Sequence, residues 1–490
     1  MQIVPQLDRY PKLVALTQTD IGKVAALAVF GLLLWLNGNP VFVGVTLTVG
    51  VIGLFPQHRR LLLALASVCW LLSYSGRVGL GFIKQVAAGE GIQTGSALLC
   101  ACVLVFVGMF CALGLFLRIV EQRPRNLVGQ RPVLVMVGSF LCLLMAAGTA
   151  PLRGWPKLAL WSLLAFACQY LWLFAYAIAD CTSKAPDPYP GNFGTFFPFW
   201  MGSATPIGKG AAFLRKVEVR TPNELAALQL NAIKQLIWLL ALNVVLGGIR
   251  AVVYGGAPAG VRACCEALGF HIPALLAPTL EAALDQTAAG IRVPLHLAWA
   301  SVLMHFVEKT LVITIWGNTI VACCRMAGFN ILRNTYRPFY ATTLTEFWNR
   351  FYFYFKELLA EFFFFPAYIR YFKKYRKLRL IAATIAAATF GNMIYHFCLE
   401  IGYVLDLGLA KAVTGFQVYT CYALILGVAI SISQLRGKRV PPASMPFYRR
   451  ALAVAGVLAF YCLLEVFDYD GRSRSLGTHL VFFRNLFTLS

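Results

Sequence analysis

The stretch N334-TYRPFYATTLTEFWNRFYFYFKELLAEFFFFPAYIRYFKKYR-K377 decides how the chain is read, because it is dense in aromatic rings and crowded with charge. Phe362 to Phe365 suit the interior of a bilayer, whereas Glu346, Arg350, Lys356, Glu357 and Glu361 do not. Pro338 and Pro366 interrupt whatever helices form there. Irregular backbone at membrane depth is tolerated only where it is buried in protein or lines a cavity, since unpaired N–H and C=O groups in lipid are costly. One reading is an amphipathic interfacial helix with Trp, Tyr and Lys anchors, which accounts well for RYFKKYRKLR. It accounts poorly for TEFWNRFYFYFKELLAE, where acidic and amide groups interleave with Phe on every side.

The surroundings are those of an integral membrane protein. Of 490 residues, 59% are hydrophobic and only 13% charged, with a mean hydropathy of +0.70; soluble domains carry about a quarter charged residues. A crossing needs roughly 20 apolar residues, and about eleven candidates meet that need, centred near Ala28, Thr48, Ser67, Phe106, Ser139, Ala167, Leu240, Leu311, Thr389, Tyr422 and Ala459. The expected fold is all-α and polytopic, one membrane-embedded domain over residues 1–490 with reentrant or interfacial segments at 179–232 and 325–379. Within the first of these, DPYPGNFGTFFPFWMGSATPIGKG mixes Pro, Gly and aromatics without helical periodicity and reads as a reentrant or interfacial loop. Two such segments imply a polar chamber.

The net charge of +23 comes from Lys and Arg in short connections such as PQHRR, RIVEQRPRNLVGQR and QLRGKRVPPASMPFYRR. With eleven alternating spans these loops share one side, which the positive-inside rule makes cytoplasmic. The N-terminus is then inside and the C-terminus outside. No soluble basic domain is visible, so nucleic acid is not the expected partner. The 14 Cys show no CxxC or Cys/His ligand spacing, so neither a metal site nor a disulfide framework is expected.

An ionisable residue at membrane depth is costly and marks function by default. Of the six His, only His305 and His396 lie deep in apolar runs. His58, His271, His296 and His479 sit near span ends or in loops and read as solvated. On a helix His396 shares a face with Asn392, four residues before, and Glu400, four after. Glu400 would hold one ring nitrogen and leave the other as a general base, or the pair only ties two helices together. His305, with Glu308 and Lys309 one turn on, reads as a polar cluster between helices or as a catalytic group. Glu346, Asn349 and Arg350 are a turn apart and can converge, while Trp348 and Phe351 face other ways.

The run RMAGFNILRNTYRPFYATTLTEFWNRFYFYFKELL resembles the signature of the membrane-bound O-acyltransferase (MBOAT) family, especially its bacterial polysaccharide O-acetyltransferase and teichoic-acid D-alanyl transfer branch. Gly328-Phe329, Asn334, Arg337-Pro338 and Glu346-Phe347-Trp348-Asn349-Arg350 occur in the family's order and at about its spacing. His396 takes the place of its near-invariant histidine, and FFPFWMGSATPIGK is a weaker echo of an earlier Phe-Phe-Pro loop. The detailed match covers 325–400. In this branch a His stands where this chain has Tyr352, and a Trp where it has Phe351. Elsewhere in the family an Asn accompanies the catalytic His, and Asn349 is the nearest match, so Asn349 stands as the second site residue with Tyr352 as the alternative.

The resemblance implies helices around a central tunnel in the cell membrane. It implies transfer of an acyl group, an acetyl first of all, from a cytosolic thioester to a hydroxyl of an exported glycan or lipid-linked acceptor. No cofactor would be held permanently; the acyl-CoA or acyl-carrier donor is a co-substrate, steered by Lys209, Arg337 and Arg350. An extracytoplasmic or glycan-synthesis protein is a possible partner in such systems. Two other classes are open: a transporter or flippase with an intramembrane His/Glu relay, and an MBOAT-like scaffold without turnover.

Overall fold

The computed structural model describes residues 5–73, 80–93, 95–122, 125–183, 186, 192–202, 206–255, 275–436, 445–468 and 474–488. His271 lies outside them. The described residues are helical, without a strand beyond the isolated antiparallel bridge of Glu218 with Phe329.

Among them eight helices are long and apolar enough to cross a membrane: Val103–Gln122, Pro132–Thr149, Gly154–Cys181, Pro222–Tyr254, Leu295–Met326, Arg376–Cys398, Gln417–Leu435 and Phe447–Phe467. Pro11–Gln18 and Asp20–Leu36, bent by 103° at Thr19, make a ninth if counted as one span. All eleven centres expected from hydropathy fall inside helices. Three of those helices are short: Asp20–Leu36, Phe42–Leu54 and Arg59–Ser73 have 17, 13 and 15 residues, less than a full crossing by length alone. The chain is a multi-pass, all-α membrane protein.

The frame of the site is the pair Pro222–Tyr254 and Leu295–Met326. The first starts in a capping box, Thr221 accepting from the Glu224 backbone while Glu224 reaches back, and ends at Gly255 in the left-handed region. The second packs along it through buried amides. Gln235 Nε2 donates to the Asn318 carbonyl at 2.7 Å, and Arg325 donates to Asn231 and Gln235. A donor buried between helices must find an acceptor there, so these side chains fix the helices' relative register.

Asn318 also anchors the irregular signature segment. Its Oδ1 accepts from the Asn334 N–H at 3.1 Å, and its Nδ2 donates to the Thr335 carbonyl at 3.2 Å. Further on, Thr335 Oγ1 donates to the Phe351 carbonyl, the Phe353 N–H to the Asn334 carbonyl, and Tyr354 Oη to the Leu332 carbonyl. Non-helical backbone is thus satisfied by protein, the condition for placing it between membrane helices. The described part of the earlier Pro/Gly/aromatic loop is likewise buried: Phe196, Phe197 and Trp200 are core residues, and Gly194 lies so close to the Leu63-Ala64 backbone that a Cβ would stand 2.4 Å from the Ala64 nitrogen.

Gly328 turns the chain out of the Leu295–Met326 helix with φ +97°. A Cβ there would lie 2.5 Å from Arg59 Nη2, and Arg59 is pinned by Glu218 at 2.8 Å and rests over the Phe329 ring. Gly328→Ala therefore combines backbone strain with a blocked space, and is expected to cost about 2 kcal/mol or more. A lowered melting temperature in detergent, against an unchanged Gly402→Ala control whose Cβ meets open space, is the check.

Among the described residues two large hydrophobic cores form, with two small satellite clusters. One gathers the helices from Asp20 to Val217 with the 321–331 and 354–359 segments; the other gathers Leu280–Phe306, Phe347, Phe351 and the C-terminal helices. Trp348 and Tyr352 pack against both. The seam between the cores is where the site lies.

Candidate functional site

His396 reaches the seam from Asn392–Cys398, the last turns of the Arg376–Cys398 span. A wide π turn at Ala386–Gly391 precedes it, a deviation frequent at functional sites. Aromatic rings wall the imidazole: Tyr419 at 4.5 Å, Tyr395 at 5.1 Å and Phe355 at 5.8 Å between centroids. Tyr352 stacks on the same Phe355 at 5.6 Å. His396, Tyr352 and Tyr419 are each half-buried. Neither ring nitrogen of His396 has a hydrogen-bond partner among the described residues.

Glu400 does not take the place expected for it. The helix breaks after Cys398, Glu400 caps the next helix, Ile401–Leu407, with φ −87° and ψ 17°, and no hydrogen bond joins it to His396. An i,i+4 relation holds only along an unbroken helix. Asn392 keeps its relation in another form: its Oδ1 accepts from Tyr419 Oη at 3.0 Å, and the Tyr419 ring lies against His396. Tyr419 orients the site, and nothing in its apolar run marked it out.

The convergence expected of Glu346, Asn349 and Arg350 is partial. Arg350 Nη2 meets Glu346 Oε1 at 2.7 Å, and the other Glu346 oxygen accepts from the Thr342 N–H and Oγ1 at 2.8 Å each. Burial would lift the Glu346 carboxyl, and Thr342 and Arg350 together hold it below its ordinary range. Both charges hold the start of Leu344–Phe351, which Thr343 caps. Asn349 stays outside that network and is exposed, on a cavity wall shared with Asn392. Tyr352 sits in the helix break that follows, φ −134° and ψ 76°, and the seam places it, rather than Asn349, beside the rings around His396.

Lys209 and Arg337 both adopt left-handed backbone. Lys209 Nζ lies 2.5 Å from Glu357 Oε2. Burial opposes ionisation of Glu357, but Lys209 and Lys356 outweigh it and hold its carboxyl below the usual range. Lys209 is a matched charge, tying the 206–210 loop to the signature segment. Arg337 is exposed, its guanidinium over the Tyr336 ring.

The polar cluster around His305 has different members from those its spacing suggests. Glu308 turns to Arg250 and Tyr254. His305 Nε2 and Lys309 Nζ instead meet Glu465 Oε2 at 3.6 and 2.9 Å, and Lys309 also pairs with Asp468. Glu465 and Asp468 lie more than a hundred residues downstream, and no local pattern linked them. His479, read as solvated, is fully buried with Nδ1 2.6 Å from the Val466 carbonyl oxygen, and burial pushes its imidazole below the ordinary value.

Among the described residues no group of three His, Cys, Asp or Glu side chains could hold a metal ion. The arrangement supplies a histidine whose two nitrogens have no hydrogen-bond partner among the described residues, with phenol rings beside it. It suits proton exchange with a molecule entering the seam. The sequence matches no protein-family model and no curated protein.

Proposed function

We propose that the protein is a membrane-embedded O-acyltransferase of MBOAT type, moving an acyl group, an acetyl first of all, from a cytosolic thioester to a hydroxyl of an exported glycan or lipid-linked acceptor. The observation that carries this reading is His396, with no hydrogen-bond partner at either nitrogen among the described residues, walled by aromatic rings beside the segment that bears the family-like motif. In the proposed reaction His396 takes the proton of the acceptor hydroxyl as its oxygen attacks the thioester carbonyl. The tetrahedral oxyanion needs a donor, for which Tyr352 is better placed than Asn349. Collapse breaks the C–S bond, and the imidazolium returns the proton to the departing thiolate. Orientation follows the basic loops: N-terminus cytoplasmic, C-terminus outside, in the cell membrane. Arg337 is the available cation for an anionic donor, and an extracytoplasmic or glycan-synthesis protein would be the natural partner.

A transporter is the second reading, and the His305–Glu465–Lys309–Asp468 cluster is the observation that favours it. Release of free thiol from acetyl-CoA by the reconstituted protein, dependent on added glycan or lipid acceptor, separates the two. Acceptor-dependent thiol release supports acyl transfer; substrate flux across sealed vesicles without thiol release overturns it.

A further inference from the structure

Between Glu361 and Glu400 the chain carries no carboxylate and six cations, all of them from Arg370 to Arg379. They lie in the turn that joins Phe365–Arg370 to the start of the span ending at Cys398. Arg379 faces inward: its Nε donates to the Tyr368 carbonyl, and its guanidinium lies 3.9 Å over the Tyr368 ring. That clamp fixes the turn, together with Phe372 in the left-handed region at φ +50° and the Tyr375 N–H on the Phe372 carbonyl at 2.9 Å. The other five, Arg370, Lys373, Lys374, Arg376 and Lys377, are exposed, and none has an ion pair among the described residues. Arg376 and Lys377 occupy the first turn of Arg376–Ile385, which has no side-chain cap, and cations there oppose the helix macrodipole. What this surface lacks is an anion. Tyr371, Phe372, Tyr375 and Leu378 stand exposed among the cations.

We infer that this turn is a docking surface for acidic phospholipid headgroups, placed where the span that bears His396 enters the bilayer. Two observations choose a lipid over an acidic protein. The patch runs directly into a helix long and apolar enough to cross a membrane, which sets its height at the bilayer edge. Its rings also alternate with its cations, so the apolar side chains enter the acyl boundary while the Lys and Arg stems reach up to phosphates. A run of about four to eight cations immediately beside a span is the pattern that draws acidic lipid. A zwitterionic headgroup brings its own cation, so selection falls on net charge. A free phosphate would meet the cations but leave the rings in water. The inference is independent of turnover at His396.

The experiment sets dioleoyl phosphatidylglycerol against dioleoyl phosphatidylcholine in competition for the detergent-solubilised full chain, read by native mass spectrometry. The wild type is expected to prefer the acidic lipid about tenfold in about 0.1 M ammonium acetate. Most of that preference is lost in about 1 M, where screening is nearly complete beyond about 3 Å. Lys373→Gln with Lys374→Gln and Lys377→Gln lowers the preference about fivefold or more, at least the contribution of one cation at an acidic surface. These side chains have no ion pair to lose among the described residues, so the melting temperature stays at the wild-type value. Arg118→Gln with Arg125→Gln and Arg131→Gln removes the same charge from another basic connection and leaves the preference within about twofold. Equal binding of the two lipids by the wild type, a preference that the three lysine changes leave in place, or an equal loss from both triple variants overturns the inference. Binding of a polyglutamate peptide in place of the acidic lipid would assign the surface to an acidic protein and overturn it too.

Discussion

Replacing His396 with alanine is expected to lower acceptor-dependent thioester cleavage by about 10²–10⁴-fold, the usual contribution of a positioned general base, while the protein stays folded. Because the imidazole has no hydrogen bond among the described residues, its removal orphans no buried partner there. Its ring contacts with Tyr395, Tyr419 and Phe355 are lost. The residual signal should not recover in His396→Gln, which restores polarity and bulk without a base. Tyr419→Phe, which frees Asn392 Oδ1 but leaves the ring wall, is expected to give a smaller loss. Thiol release and melting temperature measured on the same preparations decide the matter. Turnover within threefold of wild type in His396→Ala would remove the histidine from the reaction, and loss of both turnover and folding would make its role structural.

Lys309→Met carries the largest expected effect on stability. Glu465 is 7% exposed, and Lys309 is the cation shared between it and Asp468. Removing one partner of a buried ion pair costs about 3–5 kcal/mol, because the other charge stays behind without its match. Here two carboxylates stay behind, with His305 beside Glu465. The melting temperature in detergent should fall sharply. Lys309→Met with Glu465→Gln should recover part of the loss, and the double-mutant cycle isolates the coupling. Additivity of the two substitutions would show that the pair contributes nothing by meeting.

Hydropathy is a local property, which is why the positions of the spans were legible: a window of apolar residues around Leu240 or Leu311 needs no knowledge of its neighbours. The lengths at the N-terminal end were not, since Phe42–Leu54 stops where Phe55 and Pro56 turn the chain. His396 stood out as a lone ionisable group in an apolar run. Its neighbour Tyr419 did not, because it comes from a helix that sequence spacing cannot bring near. The Glu400 expectation failed for a related reason: a helical projection assumes the helix continues, and CLEIG carries no proline to announce the break. Glu346 and Arg350 were found by their spacing, but only the Thr342 contacts show that they hold a helix start. The signature's Asn334 proved to be part of the seam's backbone network with Asn318.

The π turn at Ala386–Gly391 has a consequence for angular phase. A π turn holds one residue more than the α turn it replaces, and each residue of an α-helix advances the side-chain direction by about 100°. The insertion is held in place from outside: Gly391 lies against the Phe363 ring of a second π turn, Ala360–Phe364, and Thr389 donates to the Ala423 carbonyl beside Gly427. Deleting a single alanine from 386–388 would let the helix close into regular α geometry while every residue beyond it turned through that angle. His396 would then swing away from Tyr419 and out of the seam without any change to its own identity. The aim of the histidine is set by a count of residues upstream of it.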